Sequence, residues 1–142
     1  MNQQLIYIIR VETAPARFGG GIVPIDSHRC LSDAYIPFQP IPINGCAQLT
    51  TETETEGCLL YKTEVRLSML CTFPHWDEPQ IFRLTDLSGN SFIVGTGSAP
   101  FVRVDYRTER PARPTDRATA EIQLHWAGIY APLEIMNINE NK

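Results

Sequence analysis

Residues 46–71 read CAQLTTETETEGCLLYKTEVRLSMLC, and their alternation decides the fold. From Tyr61 onward the odd positions Tyr61, Thr63, Val65, Leu67, Met69 and Cys71 are mainly apolar, while Lys62, Glu64, Arg66 and Ser68 are polar. A two-residue period belongs to a strand with one dry face. Upstream, Thr51, Thr53 and Thr55 alternate with Glu52, Glu54 and Glu56, placing β-branched residues on one side and charge on the other. The stretch therefore predicts a long hairpin over about 46–71.

Its register follows from chemistry, because a one-residue slip exchanges the two faces of a strand. An odd-length loop centred on Gly57 sets Leu49 against Val65, Ala47 against Leu67 and Thr53 against Tyr61. It also sets Glu52 against Lys62 and Gln48 against Arg66, cross-strand pairs each worth a few tenths of a kcal/mol. A two-residue Glu56-Gly57 turn would mix charge into the apolar face, so a loop of three or five residues is expected. At ~3.3 Å per residue the Tyr61 to Cys71 strand would span roughly 35 Å. It should either bend around the core or project as an arm that needs a partner surface.

Outward from this hairpin the same reasoning finds more strands. A second hairpin covers about 81–95, IFRLTDLSGNSFIVG, with Leu84 against Phe92 and Phe82 against Val94. This leaves Leu87, Ser88 and Gly89 as a three-residue loop with glycine at the left-handed position. Leu5 to Glu12 is a strand candidate with Ile6 and Ile8 on one face and Tyr7, Ile9 and Val11 on the other, both at least partly covered. Ala118 to Ala127 is the last clear strand, with Ala120, Ile122, Leu124 and Trp126 inside. Between Ile36 and Ile43 prolines recur and fix extended angles, so this segment should be an edge or connector packed on its own domain. Gly19, Gly20 and Gly21 predict a flexible loop, without the frame of a phosphate cradle.

Composition agrees with one domain. At 142 residues a second core is not expected. Eleven Pro and nine Gly favour strands and turns over helices, and no stretch has helical periodicity. The reading is thus a single all-β domain over 1–142, an antiparallel β-sandwich or barrel with little or no helix. A net charge of −4 argues against general polyanion binding and for a soluble chain. The stretch from Leu5 to Ile9 is too short for a secretory signal or a membrane span. Cys30, Cys46, Cys58 and Cys71 would permit three disulfide pairings in an exported protein, but without an export signal they are expected as buried free thiols.

Candidate chemistry is sparse. His75, Trp76, Asp77 and Glu78 could supply metal ligands, but His28 and His125 lie far off in sequence and no C-x-x-C pair exists. A polar loop with Trp76 packed down accounts for them, and the Cys71/His75 spacing adds little outside a helix or knuckle. No nucleophile elbow occurs, and Glu52, Glu54 and Glu56 read as a solvated strand face rather than paired catalytic acids. No catalytic residue, metal or cofactor is expected, and the chain is not read as an enzyme.

Arginine usage is more informative. Ten of the twelve basic residues are Arg, and the loop at about 107–117 holds Arg107, Arg110, Arg113 and Arg117 among acids and prolines. Mixed signs argue against a nucleic-acid patch, and Arg is favoured where ion pairs are bidentate and partly desolvated. These four arginines, with Tyr61 and Lys62 on the long hairpin, are the candidate interface; an ordinary solvated loop between strands accounts for the arginine segment equally well.

The hairpin FRLTDLSGNSFIVGTGSAPF, followed by the Arg/Pro loop, a strand and the close APLEIMN, resembles small β-rich virion proteins of tailed phages and prophages, in the neck or tail modules. The likeness covers the second half of the chain. It implies a structural subunit that assembles in rings or tubes, with no cofactor and no catalytic residues, and a virion location in place of a cytoplasmic one. Expected partners are then copies of the chain and other structural proteins, with no membrane and no sequence-specific nucleic acid. The alternative is a β-sandwich ligand-binding module, carbohydrate being one candidate, with Trp76, Trp126 and Tyr residues on a sheet face as a stacking platform. Burial of Trp126 would weaken it. A small hydrolase ranks third and would need His28, His75 or His125 beside an acid in a pocket.

Overall fold

Alternating side chains make strands, and strand β1 (Asn2–Pro15) is the one that organises the rest. A computed structural model describes residues 2–55, 60–69, 76–109 and 119–136. After β1 come a short 3-10 turn (Ala16–Gly21) and strands β2 (Ile22–Pro24), β3 (Arg29–Ser32), β4 (Gln39–Ile41) and β5 (Ala47–Glu54). Strands β6 (Leu60–Met69), β7 (Gln80–Asp86), β8 (Ser91–Val94), β9 (Arg103–Glu109), β10 (Thr119–Gly128) and β11 (Leu133–Ile135) follow. All belong to one open sheet in the order β2-β3-β11-β8-β7-β1-β5-β6-β10-β9, with β4 also on β1. The fold is all-β, as the alternation predicts, but no barrel closes. Nor is the sheet wholly antiparallel, since β11 and β3 pair in parallel.

The sheet doubles over at β1. Between Ile8 and Arg10 the ladder with β7 shifts register, and such a bulge bends a strand and moves its side chains to the other face. Val11 therefore joins Ile8 in the core, both fully buried, whereas Tyr7 and Ile9 remain 49% and 46% exposed. This corrects the expectation that Val11 shares a face with Tyr7 and Ile9. One limb of the sheet, β5-β6-β10-β9, continues from the N-terminal half of β1. The other, β7-β8-β11-β3-β2, continues from its C-terminal half. A single apolar cluster joins them, with Leu49, Val65 and Leu124 from one limb and Phe82, Val94 and Leu133 from the other. Burying each such side chain is worth about 1.5–3 kcal/mol against leaving it in water.

Both hairpins have the expected registers. Leu49 faces Val65, Thr53 faces Tyr61, Glu52 faces Lys62 and Gln48 faces Arg66. The last pair is Glu54 with Leu60, which leaves residues 55–59 as a connection of odd length. Leu84 faces Phe92 and Phe82 faces Val94. The Asp86 N–H donates to the Asn90 carbonyl at 2.9 Å, and Gly89 takes a φ of +89°, the left-handed value its position requires. Over its described residues the long hairpin does not project as an arm. β6 lies between β5 and β10, and Val65, Leu67 and Met69 are buried in the chain's own core.

Connections are better anchored than their composition suggests. Ile36 and Ile41 are buried, Phe38 and Ile43 pack on the core, and β4 pairs with β1, so the proline segment packs on its own domain. The glycine run is an ordered 3-10 turn rather than a flexible loop. A Cβ on Gly19 would come within 2.3 Å of the Gly97 backbone nitrogen, so only glycine permits this crossing. Cys30 is a buried free thiol as expected, but Cys46 is exposed. It sits on the short connection that lets β4 and β5 follow each other along β1. Cys58, Cys71 and His75 lie outside the described residues.

Candidate functional site

The two edges of β1 are used unequally. Ile8 pairs with both Ala47 and Asp86, and Val11 with both Ile41 and Leu84, so β4 and β5 share one edge and β7 holds the other. The β7 ladder ends at Ile8, where the chain turns back into β8. From Asn2 to Tyr7, β1 thus has β5 on one side and, among the described residues, no strand on the other. An unpaired edge presents a row of backbone donors and acceptors that another strand can complete.

Apolar side chains accompany this free edge. Leu5, Tyr7 and Ile9 are about half exposed on the outer face of the sheet. Residues 2–9, NQQLIYII, contain no charge. On the inner side Gln4 and Ile6 line a cleft of about 340 Å³ where the limbs diverge, together with Thr51, Thr53, Tyr61 and Phe92. The inner face of the β5-β6 hairpin turns from apolar to hydroxyl-bearing on its way to this cleft, with Thr51 opposite Thr63 and Thr53 opposite Tyr61.

Elsewhere the outer face is charged and largely self-neutralised. Lys62 Nζ lies 2.8 Å from Glu54, whose hydrogen bond is the main cause holding the lysine pKa above its ordinary value. Arg66 meets Glu64 at 2.8 Å, and Asp105 is shared by Arg103 and His125 at 3.3 Å each. Arg107 stands opposite Glu121 in the β9-β10 ladder. Such exposed pairs contribute roughly 0–1 kcal/mol each and fix no ligand by themselves.

Of the expected interface residues, Lys62 and Arg107 face outward, as exposed residues of β6 and β9. Tyr61 does not. It is 4% exposed, with its ring edge-on to His28 at 5.1 Å and its hydroxyl 3.4 Å from Ser27, because the odd face of β6 is the core face. It ties the two limbs together. Arg110, Arg113 and Arg117 lie outside the described residues, so no cluster with Arg107 can be drawn.

The ligand and enzyme alternatives fare differently. Trp126 is 4% exposed, donates its indole N–H to the Pro100 carbonyl at 3.0 Å and stacks on Tyr130. Trp76 packs edge-on against Phe82 at 5.7 Å. The two tryptophans therefore form no common platform. His28 accepts or donates at Nδ1 with the neighbouring Ser27 hydroxyl at 2.9 Å, while Asp26 receives the His28 backbone N–H and a bidentate Arg29. Arg29 chiefly, and that N–H next, hold the Asp26 carboxyl below its usual range. That acid thus serves the turn rather than the imidazole, whereas His125 does stand beside an acid, 3.3 Å from Asp105, at a cleft it lines with Glu64 and Trp126. Among the described residues no group of three His, Cys, Asp or Glu could hold a metal ion, and no helix is long and apolar enough to cross a membrane.

The free edge was not singled out from sequence. Its signal lies in the uncharged run 2–9, which overlaps the strand candidate Leu5 to Glu12 expected to be at least partly covered on both faces. No protein-family model, curated protein or solved structure matches the chain.

Proposed function

We propose that this chain is a structural assembly subunit that acts through protein–protein contacts, with the neck or tail of a phage or prophage virion as its setting. The observation that carries the reading is the uncharged edge of β1, unpaired among the described residues, with Leu5 and Tyr7 half exposed beside it. Apolar surface next to open backbone groups is the usual mark of a strand that meets another chain. Light scattering of the purified chain over a wide concentration range, with imaging of any particles, tests it. Rings, tubes or discrete oligomers are the expected result. A strict monomer that enters no larger assembly overturns it.

The hydroxyl-lined cleft favours ligand binding as a second reading. Its polar groups suit a hydroxylated molecule, carbohydrate included, held without a stacked tryptophan. Titration with mono- and oligosaccharides, followed by NMR shifts at Thr51, Thr53 and Tyr61, separates the two readings. Saturable shifts at those residues support the binding module, and their absence removes it.

A further inference from the structure

We infer that the free edge of β1 is completed by the same edge of a second copy, in an antiparallel pairing about a two-fold axis at Leu5. This names the partner for the assembly reading and rests on it.

The first argument is how the other edges are protected. Soluble sheets blunt their open edges with charge, proline or brevity. The outer edge of β9 carries Arg103, Asp105 and Arg107. β2 has three residues and ends in Pro24, and β4 contains Pro40. Over Asn2–Tyr7 β1 has none of these devices, and among the described residues no strand pairs with its second edge there. An edge left unguarded in a chain that guards its others is one that is covered in use.

The second argument is complementarity. An uncharged edge excludes a charged partner strand, which would bury unpaired ions, so β9 of a neighbour is a poor match. A second β1 is a neutral one. Antiparallel pairing about a two-fold requires each pair of residue numbers to sum to the same even value. A sum of ten sets Leu5 against Leu5 of the second copy, Tyr7 against Gln3 and Ile6 against Gln4. The incoming strand then lies in line with β7 and stops where the β7 ladder begins, at Ile8. Leu5 and Tyr7 of the two copies then form one apolar stripe on the outer face. The even-numbered side chains, Gln4 and Ile6, point to the side where the cleft beside the edge offers space.

The test uses the full-length chain and two variants, Leu5→Lys and Leu5→Glu, at a half-exposed outer position that the fold itself does not need. Light scattering should find each variant monomeric, with association weakened roughly a hundredfold by like charges on the axis. Mixing the two variants in equal amounts should restore the dimer, because Lys then faces Glu. Hydrogen exchange of wild-type residues 3–7 should slow as concentration rises through the dimer transition. A wild type that associates while Leu5→Lys still does so overturns this pairing and leaves the assembly reading standing. Loss of association in both variants without rescue on mixing also overturns it, since the strand facing β1 is then a different one. A wild type that is monomeric at every concentration ends both, and protection of residues 3–7 in that monomer would mean that the chain covers its own edge.

Discussion

The two halves of β1 are built from the same kinds of residue and live under opposite constraints. After the bulge, Val11, Glu12, Thr13 and Ala14 are all buried, with β4 on one edge and β7 on the other. Before it, only one edge is paired among the described residues, and Leu5 and Tyr7 meet solvent. The C-terminal half is a wall of the core, and the N-terminal half is a surface. One inserted residue separates a segment whose every atom is committed from one with bonding capacity left over.

Substitutions should expose that difference, and the largest effect belongs to the C-terminal half. Phe82, opposite Thr13 and fully buried, should cost about 3–5 kcal/mol when truncated to Ala, read as a fall in the urea midpoint. Glu12→Ala comes next. Arg83 holds both Glu12 oxygens, at 2.7 and 2.9 Å, and stacks over the Phe38 ring at 4.5 Å. Removing the acid strands a half-buried guanidinium, and a loss of about 2 kcal/mol is expected. Gly19→Ala should follow at about 1–2 kcal/mol, because its Cβ meets backbone at Gly97 that has no side-chain freedom to yield. In the N-terminal half, Tyr7→Ser should change monomer stability by less than about 0.5 kcal/mol. A large loss there would mean that the surface half is structural too, and the contrast would fail.

Acidity sharpens the same contrast. The Arg83 hydrogen bond chiefly, with its charge and that of Arg10, holds the Glu12 carboxyl below its ordinary 4.5 despite an opposing effect of burial. A carboxyl lowered in the folded state stabilises the fold fully above its unfolded pKa, and that contribution is lost as pH falls through the folded value. Urea midpoints measured from neutral pH downward should therefore drop below about pH 4.5 more steeply for the wild type than for Glu12→Gln. Equal slopes would remove Glu12 as the cause.

What could be read from the chain beforehand depended on how many independent signals converged. At 46–71 the apolar period, the Glu52–Lys62 and Gln48–Arg66 complementarity and the odd loop all demanded one register, and that register is observed. At 81–95 the demand of Gly89 for a left-handed backbone did the same. In β1 the run LIYIIRV is apolar at both parities, so no period could reveal where the phase changes. The β3-β11 pair joins strands of four and three residues about a hundred positions apart, too short to carry a pattern. The candidate site was harder still. Its free edge is defined by where β7 stops, a property of the neighbour and not of the residues in β1. The arginines at 110, 113 and 117 lie outside the described residues, and the odd, apolar parity of β6 puts Tyr61 in the core rather than at an interface.

One consequence of the parallel seam concerns the thiol beneath it. Cys30 sits in β3 with its Sγ 3.7 Å from the Leu133 carbonyl of β11, and burial pushes that thiol up to about 11. An alkylating reagent at neutral pH can reach it only while β11 is lifted away. Cys46, at the surface, reacts without any such event. Followed by peptide mass, the slow labelling of Cys30 against the fast labelling of Cys46 is a built-in stopwatch for how often the far margin of the sheet comes apart.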